Sequence, residues 1–152
     1  MKGAYTLIIH VEQPVKVEIK SLGEVRFESG LWIYVGSAMG ESSTSLEHRI
    51  RRHFRIEKTI YWHIDYLLDA DTELLEAIWA ESMKPVECDI AHSLENHEKY
   101  SPGPRGFGSS DCRKNCVAHI FHYNGDTPIQ ESIIQVFRNS GLQPFTTKDG
   151  LL

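Results

Sequence analysis

The sequence predicts an α+β domain: a small, mostly antiparallel sheet with an inserted hairpin, flanked by helices. Two observations carry this expectation. The first third reads as a meander of alternating strands, and the remainder interleaves helical spacing with short apolar runs. The absence of any repeat or low-complexity stretch adds a third, pointing to one domain over residues 1–152.

In order along the chain, Tyr5, Leu7 and Ile9 alternate with Ala4, Thr6, Ile8 and His10. Val15, Val17 and Ile19 then alternate with Lys16, Glu18 and Lys20, a strand with one wet face. Ser21-Leu22-Gly23-Glu24 reads as the hairpin turn into Val25 to Glu28, and Leu31 to Val35 is apolar throughout, as in a central strand. A helix is expected from Thr44, whose spacing to Glu47 suits a capping box, with Leu46, Ile50 and Phe54 as its buried stripe. Trp62 to Leu68 is a shorter helix and Leu74 to Ala80 a strand. Pro85 opens a helix with stripe Val86, Ile90 and Leu94. Ser101 to Gly106 reads as loop and Val117 to Tyr123 as strand. The last helix has Thr127 as N-cap, Pro128 at its first position and Gly141 at its end.

The bulk numbers narrow the function classes. A net charge of −5 argues against a protein that coats nucleic acid non-specifically. A local basic site survives: between His48 and Lys58, Arg49, Arg51, Arg52, Arg55 and Lys58 face the single acid Glu57. The start of the chain lacks a signal-peptide profile and no apolar run suits a membrane span, so a cytoplasmic protein with no membrane partner is expected. Three cysteines speak against a secreted disulfide framework.

Helical geometry sorts the basic residues. At about 100° per residue from Leu46, Ile50 and Phe54 fall near 40° and 80°, and Arg49 and His53 near 300° and 340°. Arg49 and His53 therefore border the buried stripe, whereas His48, Arg51 and Arg55 point outward. Taken alone, Arg49 fits equally an arginine at the core edge, and Tyr5 and Tyr34 fit strand tyrosines with hydroxyls at a rim.

Gly3-Ala4-Tyr5, Tyr34-Val35-Gly36-Ser37 and the segment Leu46 to Phe54 together resemble the GIY-YIG nucleases. The first two segments correspond to the family's paired tripeptides. The third corresponds to its helix, with an arginine followed four residues on by a histidine. Tyr5 to His97 follows the family's order of strand, strand, helix, helix, strand, helix, giving a core over residues 3–98 and a C-terminal strand and helix over 106–141. Here the first tripeptide has alanine and the second valine in the middle position, and a hairpin, Val15 to Phe27, separates them.

The resemblance implies divalent-metal-dependent phosphodiester hydrolysis, on DNA in a repair or recombination setting. Tyr5, with Tyr34, would orient or deprotonate a water as tyrosinate, and Arg49 would hold the scissile phosphate. Glu87 would anchor one Mg²⁺ or Mn²⁺, while His53 would assist proton transfer or contact a phosphate. Nucleic acid would meet Arg51, Arg52, Arg55, Lys58 and Ser37. Two further segments, Tyr61 to Leu67 and Gly106 to Cys112, are similar to an uncharacterised, largely archaeal and bacterial subfamily sometimes fused to a base-excision DNA glycosylase. That likeness implies association with such a glycosylase or another repair protein. It also adds His63, Asp65, Ser110 and Asp111 as supports of the site. Local hydrogen bonding at a helix start is an equal reading of His63 and Asp65.

Cys112, Cys116, His119 and His122 invite a zinc reading, with Cys88 as a substitute ligand. The C-x3-C-x2-H-x2-H spacing is not that of a standard finger, and residues three apart on a strand face opposite ways. A structural zinc is therefore not expected, and the cysteines read as small buried side chains. A non-catalytic nucleic-acid-binding module and a zinc-containing interaction domain stand as alternatives to the nuclease.

Overall fold

The computed structural model describes residues 1–109, 112 and 114–152. Its strands are β1 (Gly3–Val11), β2 (Val15–Ile19), β3 (Gly23–Phe27), β4 (Gly30–Ala38), β5 (Glu73–Glu81), β6 (Tyr100–Pro102), β7 (Ile120–Tyr123) and β8 (Phe145–Thr147). Its helices are α1 (Leu46–Phe54), α2 (His63–Asp69), α3 (Glu87–Glu95) and α4 (Ile129–Asn139). This is the expected α+β class. Six strands pair antiparallel in the order β6-β7-β4-β1-β5-β8, and β2 and β3 form a separate hairpin.

Strand alternation divides the core in two. Tyr5, Leu7 and Ile9 of β1 face Leu46 and Ile50 of α1, Ile64 and Leu67 of α2, and the hairpin residues Val17, Ile19 and Phe27. Ala4 and Ile8 face the other way, onto Ile90 and Leu94 of α3 and Ile133 and Phe137 of α4. The central strands are thus covered on both faces, which explains the unbroken apolar run of β4.

Three expectations shift in detail. Ser45, not Thr44, caps α1, its hydroxyl accepting from the His48 N–H at 3.3 Å, while Glu47 turns to the Met1 amino group. Thr127 leaves the last helix uncapped by its side chain and meets the Tyr123 hydroxyl instead. The stretch read as loop from Ser101 begins inside β6, and β8 lies beyond the last expected element. Both are three-residue strands, too short to show alternation. Among the described residues no helix is long and apolar enough to cross a membrane.

Candidate functional site

The cleft forms where β1 and β4 run side by side. Register places Tyr5 opposite Gly36 and Leu7 opposite Tyr34, so both tyrosines project from one face, ring centroids 6.5 Å apart. A side chain on Gly36 would put its Cβ 2.3 Å from Tyr5 Cζ. The glycine of the second tripeptide is therefore the floor on which the first tyrosine lies.

Arg49 and His53 turn toward this face, as the helical angles require. Arg49 Nη1 donates to the Ser37 carbonyl at 2.5 Å, and its guanidinium lies 5.1 Å from the Trp62 ring centroid. Its buried Nε has no hydrogen-bond partner among the described residues. His53 is only 2% exposed and its Nε2 sits 2.7 Å from the Tyr5 hydroxyl, too deep to touch a phosphate directly. Glu87 opens α3 and completes the polar lining of a cleft of about 190 Å³, with Tyr5, Tyr34, Ser37, Arg49, Trp62, Gly108, Cys112 and His119.

Burial sets the protonation states. Desolvation raises the Tyr5 phenol well above its ordinary value, the negative groups nearby add to this, and Arg49 opposes it. Tyr34 is raised for the same first cause. Both phenols are neutral at ordinary pH, so a standing tyrosinate is not the resting form. Burial likewise brings His53 down to about 3, leaving a neutral imidazole beside Tyr5.

Several residues expected at the site support it from behind. Arg52 clasps the fully buried Asp65 through both carboxylate oxygens, at 2.8 and 2.9 Å, and lies 4.5 Å from the Trp62 ring centroid. Asp65 also accepts the Tyr61 and Trp62 N–H groups, closing the start of α2. Burial alone would raise the Asp65 carboxyl, but Arg52 and these N–H donors outweigh it and hold it low. Arg52 is therefore a structural cation.

Lys58 donates to the His53 and Arg55 carbonyls at the end of α1, a helix cap. His63 joins the hairpin turn to the loop before β7, with Nε2 2.7 Å from Ser21 Oγ and Nδ1 accepting the Gly108 N–H at 2.9 Å. Arg51 and Arg55 are exposed, as is His48. Ser110 and Asp111 lie outside the described residues.

The cysteines overturn the expectation that a structural zinc is absent. Cys88 Sγ, Cys112 Sγ, Cys116 Sγ and a His119 ring nitrogen all lie within 4.8 Å of one another, a donor set suited to zinc. His122 is not among them. It stacks on Trp32 at 4.5 Å and its Nε2 lies 3.1 Å from the Ser29 carbonyl. The spacing from Cys112 to His122 is a poor guide because Cys88 of α3, expected only as a substitute, supplies the fourth donor in place of His122.

Trp62 and Gly108 join the site beyond the residues first singled out for it, and Cys88, expected only as a substitute ligand, belongs to the metal cluster beside it. Trp62 lies in the segment Tyr61 to Leu67 and Cys88 follows Glu87, so local motifs carried a signal for both. Gly108 adopts φ +70°, and a Cβ there would lie 3.0 Å from Tyr34 Cε1. Glycine lets this turn pass over the second tyrosine.

Fold and site together define a small α+β protein with a polar, tyrosine- and arginine-lined cleft beside a cysteine–histidine cluster. The chain belongs to the family described as domain of unknown function DUF123, which matches residues 4–142. No curated protein and no solved structure matches it significantly.

Proposed function

We propose that this protein is a divalent-metal-dependent endonuclease of the GIY-YIG type, acting on DNA in repair or recombination. The observation that carries this reading is convergence. Tyr5, Tyr34, Arg49 and Glu87, each singled out by resemblance, come from four different elements and line one cleft.

The chemistry needs an activated water, a held phosphate and a stabilised leaving oxygen. Arg49 keeps donors in addition to the one bonded to Ser37, and a phosphate oxygen is the partner its planar fork suits. Tyr5 contacts the attacking water as a neutral phenol. As it takes the water's proton, its own passes to His53 Nε2 at 2.7 Å. Burial keeps His53 neutral at rest but also makes it a weak base, so the transfer is concerted with attack on phosphorus rather than preceding it.

Glu87 offers a hard oxygen donor to the cleft, compatible with an Mg²⁺ or Mn²⁺ that keeps most of its waters. Such an ion would supply charge stabilisation at the phosphate. Arg51 and Arg55, exposed on α1, would meet the backbone of the nucleic acid.

The test is incubation of pure protein with nicked, flapped and branched DNA in Mg²⁺ or Mn²⁺. Scission is expected, and it should vanish in Glu87→Ala and fall steeply in Tyr5→Phe. Scission that persists in both variants would mark a contaminant. The net charge of −5 favours a non-catalytic reading, a nucleic-acid-binding module or a zinc-containing interaction domain on the same fold, and binding without scission would establish the module in place of the first.

A further inference from the structure

We propose that Cys88, Cys112, Cys116 and His119 hold one zinc ion, which clamps the start of α3 to the segment before β7 and thereby fixes a wall of the cleft. This rests on the geometry of the cluster and is independent of the nuclease reading.

The donor set is three soft sulfurs and an imidazole, which selects zinc over the hard ions that suit a lone carboxylate. Zinc–sulfur bonds of about 2.3 Å at tetrahedral angles place neighbouring sulfurs about 3.7 Å apart. Here Cys88 Sγ stands 3.2 Å from Cys112 Sγ and 3.8 Å from His119 Nε2, so these two edges match a tetrahedron to within about half an ångström, and all four donors lie within 4.8 Å of one another. The sulfur pair is well beyond the roughly 2.05 Å of a disulfide, and all three cysteines are free.

The surrounding backbone is shaped for the same purpose. Asn115 takes a left-handed φ of +60°, a conformation asparagine tolerates, between Cys112 and Cys116. The Lys114 N–H donates to Cys112 Sγ at 3.4 Å, a bond that favours a thiolate. His119 is fixed from both sides of its backbone: its N–H donates to the Phe107 carbonyl and its carbonyl accepts the Val35 N–H, each at 2.8 Å.

Its ring then bridges the two centres. Nε2 faces the sulfurs, while the buried Nδ1, which has no hydrogen-bond partner among the described residues, stands 3.7 Å from Glu87 Oε1. That distance is just outside hydrogen-bond reach, and a small closure on zinc binding would let the carboxylate orient the ring and fix its tautomer. Glu87 and Cys88 are adjacent in sequence, so α3 presents one residue to the cleft and the next to the ion. Loss of the ion would free the segment that carries Gly108 and His119.

The test is elemental analysis of full-length protein expressed with added zinc and purified under reducing conditions without chelator. One zinc per chain is expected. Replacement by Co²⁺ should give the intense visible bands of a tetrahedral cobalt–thiolate centre. Cys88→Ser and Cys116→Ser should each weaken zinc binding at least tenfold, whereas His92→Ala, altering a ring 3.4 Å from Cys116 Sγ, should not.

Removing zinc should speed amide hydrogen exchange at Gly106–Ser109 and Val117–His119 and leave Leu7–Ile9 unchanged. Wild-type protein with less than a tenth of a zinc per chain and no cobalt spectrum would overturn the site, whatever the variants do. Zinc loss in His92→Ala but not in His119→Ala would overturn the ligand set. Unchanged exchange after zinc removal would overturn the clamp.

Discussion

The Tyr5 hydroxyl and His53 Nε2 meet at 2.7 Å inside the protein, tying the first strand to the helix forty-eight residues on. The pair has a consequence for stability. His53 titrates near 3 in the folded chain because burial disfavours its charge, against an ordinary value of 6.5. Below that ordinary value the unfolded chain binds a proton that the folded chain does not. Stability contributed by neutral His53 is therefore complete above 6.5 and is lost as pH falls toward 3, with a slope of at most about 1.4 kcal/mol per pH unit. Urea-unfolding midpoints of wild type and His53→Gln, compared from about pH 6.5 down to about pH 4, should show a shallower acid decline in the variant. Parallel declines would contradict the burial argument.

Arg52→Ala is expected to destabilise the fold by about 3 kcal/mol, because it leaves Asp65 buried without its cation and removes the stack on Trp62. Arg51→Ala, on the exposed side of the same helix, should cost less than about 0.5 kcal/mol. Denaturant titration of the two variants separates a structural arginine from a surface one. Equal losses would contradict the assignment.

Much of this was legible beforehand, and the helix shows why. Three apolar residues at spacing four define an angle, and that angle alone placed Arg49 and His53 against the sheet and Arg51 and Arg55 outside. It gave no warning that Arg52 would be claimed by Asp65, since that pairing depends on where α2 docks. The tyrosines were readable because Gly3, Gly36 and their neighbours are local signals.

The Cys88–Cys112–Cys116–His119 cluster was not readable in the same way. Its donors come from a helix and from a distant loop, and tertiary docking alone brings them within 4.8 Å. His119 and His122 part for another reason than the alternation expected from Val117 to Tyr123: β7 begins only at Ile120, leaving His119 in the preceding segment. The short strands β6 and β8 fell below the length at which alternation can be seen.

The outward arginines make a salt-dependent claim. If Arg51 and Arg55 each neutralise a DNA phosphate, the double variant Arg51→Ala/Arg55→Ala should bind more weakly to all sequences alike. Its slope of log affinity against log salt should be shallower by about 1.8, two contacts at about 0.9 each. Fluorescence anisotropy with a labelled duplex over a salt series measures this. An unchanged slope would move the nucleic-acid path off α1.

The central claim is that the cleft cuts phosphodiesters, and single-turnover scission of one labelled branched DNA in Mn²⁺ tests it most directly, with wild type, Arg49→Lys and Glu87→Ala side by side. Wild type is expected to cut. Arg49→Lys, which keeps the charge and loses the fork, should be slower by about 100-fold, and Glu87→Ala should be inactive. Equal rates in all three proteins, or no scission by any of them, would contradict the account.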